Sequence, residues 1–94
     1  SSATIEGLSV EELSSNIRQL YGIPNNINGV VVTRVNANSK AAQAGFEVGD
    51  IIAQVENIAI KTPADLSNAF TRFKGKNKRV LVYSSSGTKT ILIK

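Results

Sequence analysis

The side chains of this sequence that could take part in chemistry are serine hydroxyls and lysine amines. Hydroxyls cluster at Ser14-Ser15 and at Ser84-Ser85-Ser86, and Lys89 follows the second cluster. The chain contains no histidine, so the commonest general base is missing and only a serine–lysine pair could generate a nucleophile. Lys89 falls in a predicted hairpin, where a lysine amine is usually solvated. The sequence therefore predicts no catalytic residue and no independent catalysis.

Metal and cofactor chemistry is not expected either. The chain has no cysteine, which excludes disulfides and thiolate metal sites. The patterns G-x-x-x-x-G-K-[ST], G-x-G-x-x-G and G-x-S-x-G, which serve phosphate binding or nucleophilic catalysis, do not occur. We expect no metal and no cofactor.

Basic residues are concentrated between Arg72 and Arg79, in a chain with a formal net charge of +4. The sequence predicts a solvated loop here, whose first cations complement the C-terminus of a preceding helix. The stretch lacks the repeated aromatic residues that stack on bases, so nucleic-acid binding is not expected.

Length and composition predict one globular domain. The 94 residues are 41% hydrophobic and 19% charged, which is typical of a chain that folds around a single core. No apolar run approaches the roughly 18 residues of a membrane span, and the first residues lack a signal-peptide pattern. Residues 1–4 are predicted to be a linker or a remnant of expression cloning, and residues 5–94 the domain.

The second half carries the clearest helix signal. Thr62 can cap a helix that has Pro63 at its first position and Asp65 in its first turn. Apolar residues recur at helical spacing after it, and Gly75 is placed to end the helix near Lys74.

Strand signals surround this helix. Runs rich in β-branched or alternating apolar residues predict strands at 29–35, 51–55 and 58–60, and a C-terminal hairpin from 79–84 and 88–94. Between the first two strands, Ser39 can cap a short helix that Gly45 closes, and Gly49-Asp50 forms a tight turn.

The first quarter admits two interpretations. Ser9 and Glu12 form a capping-box pattern that would start one helix running to Leu20. Alternatively, Ile5 to Glu12 is extended and a shorter helix begins at Ser14 and ends before Gly22. Local sequence favours the first interpretation and leaves the second open.

The stretch from Ala44 to Ile52, AGFEVGDII, resembles the A-G-Φ-x-x-G-D-x-I signature of PDZ domains (Φ is apolar), particularly those of bacterial HtrA-type serine proteases. Gly29 to Val32, Val55-Glu56-Asn57 and Asp65-Leu66 also match the order of that family, so the resemblance spans about residues 5–94. It implies a mainly β fold with two to three helices, a partly open barrel or sandwich of five to six strands. The resemblance also favours the extended interpretation of the first quarter. It is closer to the second, C-terminal PDZ domain of such proteases than to the first.

The resemblance implies where a peptide would bind. In that family, the segment matching Ile5 to Leu8 holds a peptide's terminal carboxylate through backbone N–H groups, and the strand from Leu8 to Glu12 is an open edge that the peptide extends. The implied peptide-binding residues are Ile5, Glu6, Gly7, Leu8, Ser9, Val10, Ser67, Phe70 and Thr71. Gly45, Gly49 and Asp50 would form a structural turn motif. The negative charge of Glu6 departs from the family and would weaken capture of a carboxylate.

The implied function is capture of unfolded or C-terminal peptide segments by β-strand addition. Such a module would regulate, or position substrate for, a serine protease of protein quality control in the bacterial periplasm or outside the cell. An alternative is an assembly module that contacts other domains or protomers of the protease and binds little peptide. Neither role requires membrane insertion.

Overall fold

The computed structural model describes residues 2–5, 7–84 and 87–94. Within them the chain forms seven strands and three helices. In chain order these are β1 (Ser2–Ile5), β2 (Leu8–Glu12), α1 (Ser15–Tyr21), β3 (Val30–Val35), α2 (Lys40–Ala44), β4 (Ile51–Val55), β5 (Ile58–Ala59), α3 (Pro63–Arg72), β6 (Lys78–Ser84) and β7 (Gly87–Ile93).

All seven strands belong to one antiparallel sheet. Its order is β1-β2-β3-β4-β6-β7, and the short β5 pairs with β4. The β6–β7 hairpin keeps an unbroken register from Lys78 opposite Ile93 to Ser84 opposite Gly87. The predicted mainly β fold with two to three helices is confirmed.

The main core lies between the sheet and α3. Leu8 and Val10 reach it from β2, and both are fully buried because alternate residues of a strand face the same side. Leu66 and Phe70 reach it from α3, where they are one turn apart. Burial of these apolar side chains fixes α3 beside β2.

The first quarter follows the extended interpretation. Ser14, not Ser9, caps the first helix, and its hydroxyl accepts a hydrogen bond from the backbone N–H of Ile17 at 3.3 Å. Gly22 ends α1 in the left-handed region. A helix from Ser9 would have removed the alternation that buries Leu8 and Val10, so tertiary packing overrides the local capping pattern.

The α3 helix begins as predicted. Thr62 Oγ1 accepts from the N–H of Asp65 at 3.2 Å, and the Asp65 carboxylate accepts from the N–H of Thr62 at 3.2 Å. The helix ends at Arg72, slightly before the predicted Lys74, with Phe73 as its C-terminal cap. Gly75 adopts a φ of +79° in the turn that follows.

The short α2 helix also has its predicted ends. Ser39 Oγ accepts from the N–H of Ala42 at 3.2 Å, and Gly45 closes the helix with a φ of +107°. None of the helices in the described part of the chain is long and apolar enough to cross a membrane.

Candidate peptide-binding groove

Strand β2 and helix α3 lie side by side and define a groove, called the β2–α3 groove from here on and bounded by residues 8–12 and 63–72. The two elements are in contact, and Leu8, Val10 and Phe70 belong to one apolar cluster. Ser9 is half-buried on the other face of β2. The structure therefore places Leu8 and Val10 of one predicted wall together with Phe70 of the other.

The three predicted residues of the helical wall differ in exposure. Phe70 is 5% exposed and packs in the core, whereas Ser67 is half-buried and Thr71 is exposed. Residues three and four positions apart lie on one side of a helix, so Ser67, Phe70 and Thr71 share a side of α3. Of these, Ser67 is the small, partly accessible position.

The outer edge of β2 is covered, which differs from the open edge that the sequence predicted. Strand β1 pairs antiparallel with β2, with Ser2 opposite Glu11 and Ile5 opposite Leu8, and it also contacts α3. Residues 2–4, assigned to a linker from sequence, thus lie in the sheet. Small polar residues gave no local strand signal; the β-branched pair Thr4-Ile5 was the available hint.

The turn between β1 and β2 holds Gly7 against the chain that leads into α2. Gly7 has a φ of +89°, and a Cβ built on it would collide with the Cβ of Ser39. Its carbonyl accepts a hydrogen bond from the N–H of Asn36 at 2.9 Å. Glu6, the other predicted residue of this turn, lies outside the described residues, and of Ile5 the structure describes the backbone.

The turn motif after α2 is held by Asp50. Its carboxylate is buried and accepts from the N–H of Glu47 at 2.9 Å, and Lys89 Nζ lies 3.4 Å from the same oxygen. Gly49 supplies a φ of +95° just before it. Lys89 Nζ therefore faces the carboxylate of the turn motif.

The basic stretch differs in part from the predicted solvated loop. Lys78 begins β6 and is 2% exposed. Its Nζ donates to the carbonyls of Lys76 at 3.3 Å and Lys94 at 3.2 Å, and lies 5.1 Å from the centroid of the Phe70 ring. A lysine can be buried in this way because carbonyl oxygens and an aromatic face replace part of its hydration. Arg72, Lys74 and Lys76 are exposed as predicted.

No group of three or more histidine, cysteine, aspartate or glutamate side chains that could hold a metal occurs within residues 2–5, 7–84 and 87–94. Along the groove lie buried apolar side chains and a glycine turn, and the backbone groups of β2 are paired with β1 and β3.

Comparison with known families decides the assignment. A family model described as PDZ domain matches residues 31–83, which is more than half of the chain. The chain belongs to the PDZ domain family. PDZ domains are non-catalytic modules, so protease activity in similar proteins resides in other domains.

Similar full-length proteins are serine proteases. The chain is 37% identical over 54 residues to a probable periplasmic serine endoprotease, DegP-like, from Brucella suis, covering 57% of this chain and 10% of that protein. It is 26% identical over 88 residues to the protein of the same description from Chlamydia muridarum, covering 94% of this chain and 18% of that protein. It is 35% identical over 66 residues to the serine protease Do-like HtrA of Lactococcus lactis, covering 69% of this chain and 16% of that protein. The PDZ domain thus spans less than a fifth of these relatives.

Solved structures show the same fold. An HtrA-type protease AlgW with decapeptide matches with a TM-score of 0.80 and 18% identity, covering 99% of this chain and 29% of that one. The HtrA3 PDZ domain bound to a phage-derived ligand (FGRWV) matches with a TM-score of 0.77 and 19% identity, covering 99% and 85%. The position of this domain among the PDZ domains of a protease stays a prediction.

Proposed function

We infer that this PDZ domain binds extended peptide segments in the β2–α3 groove. The observation that carries the proposal is the pairing of β1: an extended backbone of four residues lies along β2 and against α3. An edge of β2 that pairs with the extended backbone of β1 has the hydrogen-bonding groups to pair with a peptide backbone in its place. The peptide ligands named for the two structural neighbours, a decapeptide and FGRWV, support the same use of the fold.

The register of β1 indicates how a peptide would lie. A peptide that pairs as β1 does runs antiparallel to β2 and has its last paired residue opposite Leu8. Its C-terminus would then reach the Gly7 turn, where we propose that backbone N–H groups hold the carboxylate. Burial of one or two apolar side chains contributes about 1.5 to 3 kcal/mol each before association costs, so we expect affinity on the order of micromolar.

The placement of the peptide site can be tested by adding a bulky side chain to the helical wall. Ser67→Arg places a long side chain at the small, half-buried position of the helical wall, whereas Asn68→Arg adds the same charge and bulk at an exposed neighbouring position. In a fluorescence anisotropy titration with labelled peptides that end in an apolar residue, we expect Ser67→Arg to weaken binding at least tenfold. We expect Asn68→Arg to bind as the unmodified domain does.

Equal affinities of the two arginine variants would contradict the placement of the site. Thermal unfolding of both variants verifies that each is folded. A peptide with an amidated C-terminus, titrated in parallel, separates recognition of a terminus from recognition of an internal segment: loss of binding on amidation indicates that the carboxylate is held.

We further propose that the domain serves a serine protease by positioning or sensing substrate in the periplasm. The support is the similarity to proteases named as periplasmic. The alternative assembly role stays a prediction, tested by measuring the size of the parent protein with and without this domain: a change in oligomer size would favour assembly over peptide capture.

A further inference from the structure

Strand β1 occupies the place that a peptide needs. With β1 on one side and β3 on the other, β2 is paired along both edges. A strand has only two hydrogen-bonding edges, so a peptide and β1 cannot both pair with β2. The backbone of β1 also lies close to α3, so the same segment runs along both walls.

The pairing of β1 is suited to reversible release. The strand has four residues, and two-stranded pairing of this length is marginally stable by itself. Glu6-Gly7 joins it directly to β2 in the sequence, so a released β1 stays close to the edge and can re-pair at a high effective concentration. A short strand on a short tether therefore has the properties of an intramolecular competitor.

We propose that β1 is an intramolecular occupant of the β2–α3 groove, so that peptides bind after this strand is displaced. The proposal rests on the proposed function, since it concerns the same groove. The apparent affinity is the affinity of the open groove multiplied by the fraction of molecules in which the groove is open. For an open state populated at about 1 to 10%, the reduction is about 10- to 100-fold.

The first test removes the pairing ability of β1. Successive residues of a strand direct their N–H groups to opposite sides, so the double variant Ala3→Pro/Thr4→Pro removes whichever donor faces β2. The matched control Ala3→Ser/Thr4→Ser keeps both N–H groups. With the labelled peptides described above, we expect the proline variant to bind about 10- to 100-fold tighter and the serine variant to bind as the unmodified domain does.

The second test locks β1 in place. Ser2 and Glu11 are opposite each other, and paired residues of antiparallel strands have Cβ atoms close enough for a disulfide. Because the chain contains no cysteine, Ser2→Cys/Glu11→Cys introduces a single possible intramolecular bridge. We expect the oxidised form to lose peptide binding and the reduced form of the same protein to recover it.

The outcomes separate this inference from the proposed function. Equal peptide affinity of the proline, serine and unmodified proteins, or equal affinity of the oxidised and reduced forms, would overturn the inference and leave the groove as a peptide site. Absence of binding to every folded form, including the proline variant and the reduced cysteine variant, would overturn both. If the proline variant does not fold, the comparison of oxidation states decides alone.

Discussion

At Gly7 the geometry of the groove depends on the absence of a side chain. It combines a φ of +89° with an approach to Ser39 that leaves no room for a Cβ. Its carbonyl also anchors the turn to Asn36. The turn thus holds the start of β2 beside the segment leading into α2, where a peptide C-terminus would arrive under the proposed function.

Replacing Gly7 with alanine should destabilise the domain more than the same change at another glycine with positive φ. Gly22 is the matched control, since it has a φ of +67° and open space around its Cα. We expect Gly22→Ala to lower the free energy of unfolding by about 1 to 2 kcal/mol. Gly7→Ala should lower the free energy of unfolding by about 1 to 3 kcal/mol more than Gly22→Ala does, because the contact with Ser39 must also be relieved.

Urea titration followed by circular dichroism measures both free energies of unfolding. Equal losses for Gly7→Ala and Gly22→Ala would show that the contact with Ser39 relaxes without cost, and the tight turn described above would then be wrong.

Elements differ in how far the sequence predicts them. The ends of α3 and α2 are set by neighbours within a few residues, such as Thr62 with Asp65 and Ser39 with Ala42, so local reasoning finds them. Strand β1 has no such capping signal, and its position depends on contact with α3, which lies far along the sequence. Burial of Lys78 was missed for the same reason, since one of its two carbonyl partners belongs to Lys94.

The capping box of α3 should contribute measurably to the stability of the helical wall. Thr62→Ala removes the hydroxyl that accepts from Asp65 N–H, and loss of such a cap costs about 1 kcal/mol. Thr71→Ala, at an exposed position of the same helix, should change the free energy of unfolding by less than about 0.5 kcal/mol.

The same denaturant titration compares these two helix variants. A loss at Thr71→Ala as large as that at Thr62→Ala would contradict the assignment of the stabilising role to the cap. It would instead place an unrecognised contact at the exposed end of α3.

At the scale of the whole molecule, the order of the sheet explains how one short chain places β2 beside α3. The main core holds α3 against the sheet beside β2, so the groove is formed by the fold itself. The signature around Gly49-Asp50 indicated this fold from sequence, and the family match confirms it. The register of β1 on β2 required the structure, since pairing between strands is set by packing of the entire sheet.

The most direct measurement of the central claim is the set of intermolecular nuclear Overhauser effects between a bound peptide and the isotope-labelled domain, recorded at peptide saturation. We predict contacts from the peptide backbone to residues 8–10 of β2 in an antiparallel order, together with contacts to Ser67 on α3. Saturable binding whose contacts lie only on α1 or on β7, away from β2 and α3, would contradict the account.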